Sequence, residues 1–247
     1  DLEERPEFTV FVQTKQQFEM VLGKFKMYRK LSERSYGIYL AAESFDAQEW
    51  KKLADRCHEV GVRCYLMMPR IFRKEAEQYF RKQMELLTSA GFDALGIGSM
   101  EEPGFLREAG IELPMYFDQG MYSWNHLAGA AMERYGADRL TIPVELNERE
   151  IRDSGVQGEM IVYGYLPMMI SAQCIRKTTL GCSGKPEIMW LKDRKDMRFP
   201  VVNQCRFCYN TIYNSAPLSL LGLSEQVTGL KPNAVRLNFT VEEPAAA

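Results

Sequence analysis

The chain of 247 residues carries 31 Lys and Arg against 33 Asp and Glu, a formal charge of −2, with 46% hydrophobic and 26% charged residues. That balance excludes a chain that coats nucleic acid or anionic membrane by charge alone. No apolar run reaches the ~18 residues of a membrane helix, and long apolar-periodic segments exclude general disorder. A first residue Asp1 reads as a processed or excised piece. Six cysteines are too few for a disulfide scaffold.

Short apolar runs alternate with helical periodicity. Phe8 to Val12 reads as a strand, and Thr14 with Gln17 as a capping box opening a helix on Phe18, Val21, Leu22 and Phe25. Gly37 to Leu40 is a second strand. Asp46 and Glu49 make the next capping pattern, before a helix burying Trp50, Leu53, Ala54 and Cys57 and ending near Gly61. Arg63 to Met68 is a third strand, followed by one helix through Ala76, Phe80 and Leu87. Ala94 to Gly98 is the fourth, with a short helix from about Pro103. Pro114 to Phe117 is the fifth, followed by a helix capped by Ser123 and stopped at Gly136. Arg139 to Ile142 is the sixth; Asn147 and Glu150 cap a short helix; Met160 to Tyr163 is the seventh. A helical stretch near Leu218 to Val227 precedes the eighth, Val235 to Phe239.

Eight strands alternating with helices predict an α/β fold, a (β/α)8 TIM-barrel-like domain over 1–247. The chain stops at Ala247 with no room for an eighth outer helix, so the expected barrel is either incomplete or closed by segments missing from this piece. A doubly wound sheet is the alternative, without a GxGxxG fingerprint to support it. One stretch of about 50 residues, 165–217, breaks the rhythm after strand seven and reads as a long functional loop. In a barrel it would leave the face where active sites are built.

This insertion holds Cys174, Cys182, Cys205 and Cys208, spaced C-x7-C-x22-C-x2-C. Four thiolates satisfy zinc or an iron–sulfur cluster. Only Cys205 and Cys208 form a tight knuckle, and the wide first pair suits a cluster better. Two disulfides are the alternative in a secreted protein. Cys57 and Cys64 read as buried core thiols. Between Ile170 and Asn210 the charge is +5, from eight basic residues and three acids, which leaves −7 for the rest of the chain. A basic lobe beside a metal site suits an anionic substrate, RNA or a small carboxylate. Arg176, Lys177, Arg194 and Arg206 are its candidate substrate-binding residues.

The run Val162-Tyr163-Gly164-Tyr165-Leu166-Pro167-Met168-Met169 leads into Cys174, followed by Leu191-Lys192-Asp193-Arg194, Phe199-Pro200, Cys205 and Tyr213-Asn214-Ser215. With Glu145-Leu146 upstream, this order resembles the peptidase U32 family of collagenase-like proteases, most clearly from about Ser123 to Gly222. The resemblance implies a barrel-like domain and a 4Fe-4S cluster on Cys174, Cys182, Cys205 and Cys208. It also implies a part in hydroxylation of RNA bases or of a related aromatic such as ubiquinone. The chain looks like the C-terminal U32 unit of a larger member, with other domains of the same chain as partners and a cytoplasmic setting. A collagenase-like hydrolase and a non-catalytic, metal-stabilised binding domain, with zinc as the metal, are the competing readings.

Peptidase chemistry finds few residues. There is no HExxH and no GxSxG, and the only histidines are His58 and His126. His58 reads as a helix-surface residue. His126, Asp118, Glu145 and Tyr163 are the catalytic candidates, with Gln119 beside them, because they stand at or just past strand ends. Glu101 and Glu102 read as residues favouring a helix N-terminus.

Overall fold

The computed structural model describes residues 5–28 and 34–242. The strands are β1 (Glu7–Val12), β2 (Tyr36–Ala41), β3 (Arg63–Met67), β4 (Ala94–Ile97), β5 (Met115–Phe117), β6 (Arg139–Leu140) and β7 (Glu159–Gly164). Then follow β8 (Pro167–Ser171), β9 (Ile188–Lys192), β10 (Arg198–Gln204), β11 (Tyr209–Tyr213), β12 (Leu218–Ser219) and β13 (Ala234–Phe239). The helices are α1 (Lys15–Tyr28), α2 (Trp50–Glu59), α3 (Lys74–Lys82), α4 (Met84–Ser89), α5 (Glu101–Glu108), α6 (His126–Arg134), α7 (Glu148–Ser154), α8 (Ile175–Thr179) and α9 (Ser224–Gly229).

The main sheet has the order β12-β7-β13-β1-β2-β3-β4-β5-β6, and every pair from β7 to β6 is parallel. Its ends meet. Thr141, just past β6, bridges in parallel to Glu159 of β7, and the Ile142 amide donates to the Glu159 carbonyl at 2.9 Å. The eight parallel strands therefore close into the expected (β/α)8 barrel, with strands of this chain alone. Gly158 permits the closure, since a Cβ there would stand 2.3 Å from the Leu140 carbonyl oxygen. At its other end the same edge of β7 pairs with β12, antiparallel. The seam is thus joined at the bottom of the barrel and taken over by β12 at the top. Residues 243–247, expected to leave no eighth helix, lie outside the described residues.

The helical layer forms as the capping signals dictate, with exceptions. Thr14 and Gln17 exchange bonds at 3.1 and 3.0 Å, and Asn147 and Glu150 complete a capping box. Asp46 makes no side-chain cap; a 3-10 turn, Ala47–Glu49, precedes α2. The expected third helix is two, broken at Gln83. Asn125 caps α6, while Ser123 is buried and donates to the Thr141 carbonyl at 3.2 Å. Leu218–Ser219 is a strand rather than the start of a helix. Cys57 and Cys64 are buried in the core between strands and helices.

Inside the barrel an ionic network packs against a small apolar cluster of Tyr39, Tyr65, Met67 and Ala94. Glu159 is fully buried; it accepts bonds from Thr9 Oγ1 at 2.5 Å and Tyr39 Oη at 3.1 Å, and pairs with Arg236 at 3.1 Å. Arg236 also pairs with Asp118 and lies 5.1 Å from the centroid of the Tyr39 ring. One layer below, Glu7 accepts from Tyr65 Oη at 2.6 Å and Arg139 at 2.7 Å, with Arg63 at 3.6 Å. The main apolar core lies between the strands and the helices.

The insertion is folded, where a loop was expected. Its four strands form a second sheet, β8-β11-β10-β9, antiparallel throughout. Breaking one member of a buried ion pair leaves the others uncompensated, at a cost of about 3–5 kcal/mol. Arg236→Met is expected to lower unfolding stability by that amount in urea denaturation.

Candidate functional site

The C-terminal mouth of the barrel is built from residues at and just past strand ends. Phe11 and Gln13 come from β1, Glu43 from β2, Arg70 from β3, Gly98 from β4, Asp118 and Gln119 from β5, and Asn238 and Thr240 from β13. The insertion roofs them with Ile170, Gln204, Tyr209, Thr211 and Tyr213. Between barrel and roof lies a cavity of about 100 Å³. It opens beside Arg70, Gln119 and Pro167 into an outer cleft of about 710 Å³ over the β6–β7 seam, lined by Val144, Glu145 and Leu166 to Ile170.

Burial sets the electrostatics. It pushes the Glu43 carboxyl above the usual carboxylate range, against the hydrogen bond that Tyr209 donates to it. Burial, then the Glu43 charge, pushes the Tyr209 phenol well up. Behind Gly98, Glu102 is fully buried and accepts from the amides of Gly98 (2.7 Å) and Ser99 (3.3 Å). Burial raises it well above the ordinary value. Glu102 thus holds the loop after β4, rather than simply complementing a helix dipole.

The four insertion cysteines are free thiols. Cys174 caps α8 by accepting from the Lys177 amide at 3.4 Å, and its segment is held by buried Asn210, which bonds Gln173 and Ile175. Cys182 is exposed in the irregular stretch between α8 and β9. Cys205 and Cys208 flank the turn between β10 and β11, where Cys208 has a left-handed φ of 56°. Burial, then the charges of Cys174, Cys182 and Cys208, raises the Cys205 thiol. The donor set therefore matches an all-thiolate metal group in number and kind, and the other three act on Cys205 electrostatically. As arranged, no set of three or more His, Cys, Asp or Glu among the described residues is disposed to hold a metal ion. Cys205 lines a cavity of about 630 Å³ with Gln13, Glu43 and Thr240, which also line the mouth.

Of the catalytic candidates, Asp118 lines the mouth and is paired with Arg236, and Gln119 lines both mouth and cleft. Glu145 is exposed on the outer cleft. Tyr163 turns to Phe239, 5.7 Å between ring centroids, and lies outside the mouth lining. His126 is exposed at the start of α6, also away from the mouth. His58 meets Asp93 at 2.9 Å on the outer surface. Of the basic candidates, Lys177 and Arg194 are exposed and Arg176 is paired with Glu187. Arg206 gives its guanidinium to the barrel: the Phe45 carbonyl at 2.7 Å, Tyr79 Oη at 2.8 Å and the Ala42 carbonyl at 3.3 Å. Beside it Phe207 is buried against Phe80, 6.0 Å between centroids. Gln13, Glu43, Arg70, Tyr209 and Arg236 were missed. The strand-end rule that found Asp118 reaches Gln13, Glu43 and Arg70 equally, and an arginine inside VRLNF is itself a signal of a buried partner.

The family model for peptidase family U32 matches residues 29–233. The chain belongs to peptidase family U32. No curated protein matches the sequence. Among solved structures, a fructose-1,6-biphosphate aldolase candidate from Coccidioides immitis is 12% identical with a TM-score of 0.47, over 63% of this U32 chain and 64% of that one. Thiamine phosphate pyrophosphorylase from Pyrococcus furiosus is 12% identical, TM-score 0.42, over 65% and 76%. Muconate lactonizing enzyme from Pseudomonas putida is 11% identical, TM-score 0.45, over 64% and 47%. This U32 chain thus spans less than two thirds of the first and third. Its fold rests on its own strand order, not on these likenesses. No described helix is long and apolar enough to cross a membrane.

Two outcomes test this description of the U32 mouth. Arg206→Ala is expected to free the insertion, so that limited proteolysis cuts within 165–217 several-fold faster while the barrel stays protected. Glu102 binds its proton more tightly folded than unfolded, so its contribution is complete at low pH and is lost as pH rises above about 4.5. Glu102→Gln should therefore match wild type in urea denaturation near pH 4 and gain on it toward pH 8.

Proposed function

We propose that this U32 chain is an iron–sulfur domain that serves hydroxylation of an RNA base or a related aromatic substrate, which enters the barrel mouth. One observation carries the reading: Cys205, one of four free thiols in the insertion, lines a cavity that shares Gln13, Glu43 and Thr240 with the mouth. Cys174, Cys182, Cys205 and Cys208 are the residues that would hold a 4Fe-4S cluster. Such a cluster supplies one-electron transfer when bound.

The chain's own residues supply the rest. Phe11, Tyr165, Tyr209 and Tyr213 offer a flat ring aromatic walls. Gln13 and Gln204 offer it amide hydrogen bonds. The inserted sheet, pinned by Arg206 and Phe207, keeps water from the mouth. Exposed Lys177 and Arg194 favour an anionic substrate outside it. Free thiols go with a reducing, cytoplasmic setting, and other domains of a longer chain are its natural partners. A hydrolytic reading has less support, because the mouth lining contains no serine, cysteine or histidine among the described residues.

Anaerobically purified protein is expected to contain iron and sulfide near four each per chain, the stoichiometry of a 4Fe-4S cluster, with a broad visible absorption band. Cys205→Ser should lose iron, sulfide and hydroxylated product while the barrel keeps its unfolding temperature. One zinc without sulfide would turn the domain into a structural metal unit. Neither metal, after anaerobic reconstitution with iron and sulfide, would overturn the reading.

A further inference from the structure

Arg70 stands at the threshold where the inner cavity opens into the outer cleft, and it lines both. Its guanidinium is seated rather than loose. Nη1 donates to the Gly98 carbonyl at 3.0 Å, and the group lies directly against Gly120. A Cβ on Gly120 would come 0.9 Å from Nη1, 1.5 Å from Cζ and 1.8 Å from Nη2. Gly120 has no left-handed backbone angle, and a side chain there would displace the guanidinium from this seat. The Tyr122 ring flanks the group at 6.0 Å, and the Arg70 amide donates to Tyr209 Oη at 3.3 Å.

The charge on Arg70 has no protein partner. The barrel carboxylates are already matched: Glu7 by Arg139 and Arg63, Glu159 and Asp118 by Arg236. No carboxylate among the described residues reaches ion-pair distance of Arg70. Of the other acids near it, Glu43 and Glu102 are driven by burial toward their neutral forms, and Glu145 shares the outer cleft with it without an ion pair to it. A fixed guanidinium fork with no carboxylate, opening onto two cavities, is suited to an incoming oxyanion.

A second observation lies across the inner cavity. Arg236, Asn238 and Thr240 alternate along and just past β13, and all three line the cavity. Arg236 Nε and Asn238 Oδ1 are buried without a hydrogen-bond partner. Such orphans are rare in a folded interior and call for a partner of matching polarity. The three residues line this cavity together with Tyr209, Tyr213 and Phe11.

We infer that the barrel mouth is a binding site for a planar ring carrying an oxyanion, carboxylate or phosphate, with Arg70 as its anchor and the polar edge of the ring against Arg236, Asn238 and Thr240. This rests on the mouth being the substrate site proposed above. It does not rest on a metal or on hydroxylation.

Calorimetric titration with two matched pairs of probes tests it. One pair is 4-hydroxybenzoate and 4-hydroxybenzamide; the other is uridine 5′-monophosphate and uridine. In at least one pair the anion should bind about 10- to 100-fold tighter than its neutral partner, the range of a charge-assisted bond. A preference in the first pair alone assigns a small carboxylic acid, and in the second alone a nucleotide. Arg70→Ala should abolish the preference, and Arg70→Lys should keep only part of it. Gly120→Ala should also abolish it by unseating the guanidinium, and covers the case in which the Arg70 variants do not fold. Equal binding within both pairs, no binding in either, or an undiminished preference in folded Arg70→Ala or Gly120→Ala would overturn the inference. Because binding is read without turnover, the result stands apart from the iron, sulfide and product assays.

Discussion

One buried carboxylate sets the geometry of this barrel. Glu159 on β7 has no access to solvent, so its charge must be met by protein groups. They come from β1, β2 and β13 as Thr9, Tyr39 and Arg236, and Arg236 extends the link to Asp118 at the end of β5. Five strands thus answer to one charge. A one-residue slip of any of them would turn its partner to the opposite face and leave Glu159 or Arg236 alone. The main apolar core, between strands and helices, supplies bulk stabilisation, while the ionic interior specifies which strand sits where.

The mouth inherits this order. Asp118 and Arg236 belong both to the interior network and to the cavity wall, so the site is mounted on the most constrained part of the fold. The roof is attached differently. The two residues between Cys205 and Cys208 help to fasten it, Arg206 to the loop after β2 and Phe207 against α3, beside the bond from Tyr209 to Glu43. A knuckle that reads as a pair of metal ligands is therefore also a bolt between insertion and barrel. The turn that presents Cys205 to the shared cavity wall takes its position from barrel residues more than a hundred positions earlier in the chain.

The eight barrel strands were legible because buried parallel strands read as short apolar runs. For the same reason their interior was not. Tyr39, Tyr65 and Arg236 sit in such runs, and nothing in a run says which residues turn inward. The inserted sheet was missed because β8 and β9 are largely exposed and their apolar residues do not alternate cleanly: Met168 and Met169, Trp190 and Leu191 are exposed neighbours. Arg206 looked like a substrate ligand because its partners, the carbonyls of Ala42 and Phe45, lie about 160 positions away. The four cysteines were visible by type and spacing, yet spacing says nothing of the Asn210 anchor behind Cys174 or the irregular stretch in which Cys182 is exposed.

The pairing of β1 with β13 joins residues more than two hundred positions apart. Contacts of that separation carry a large loop-closure entropy and slow the search for the native state. The inserted sheet has no such handicap, since all its strands lie within one stretch of about fifty residues. The order of assembly follows: the inserted sheet can form while the barrel is still open, and the ionic interior is completed only when the last strand arrives. A chain stalled before that point would expose Glu159 without Arg236, and also the unpaired edges of β1 and β7, the kind of edge by which partly folded chains associate.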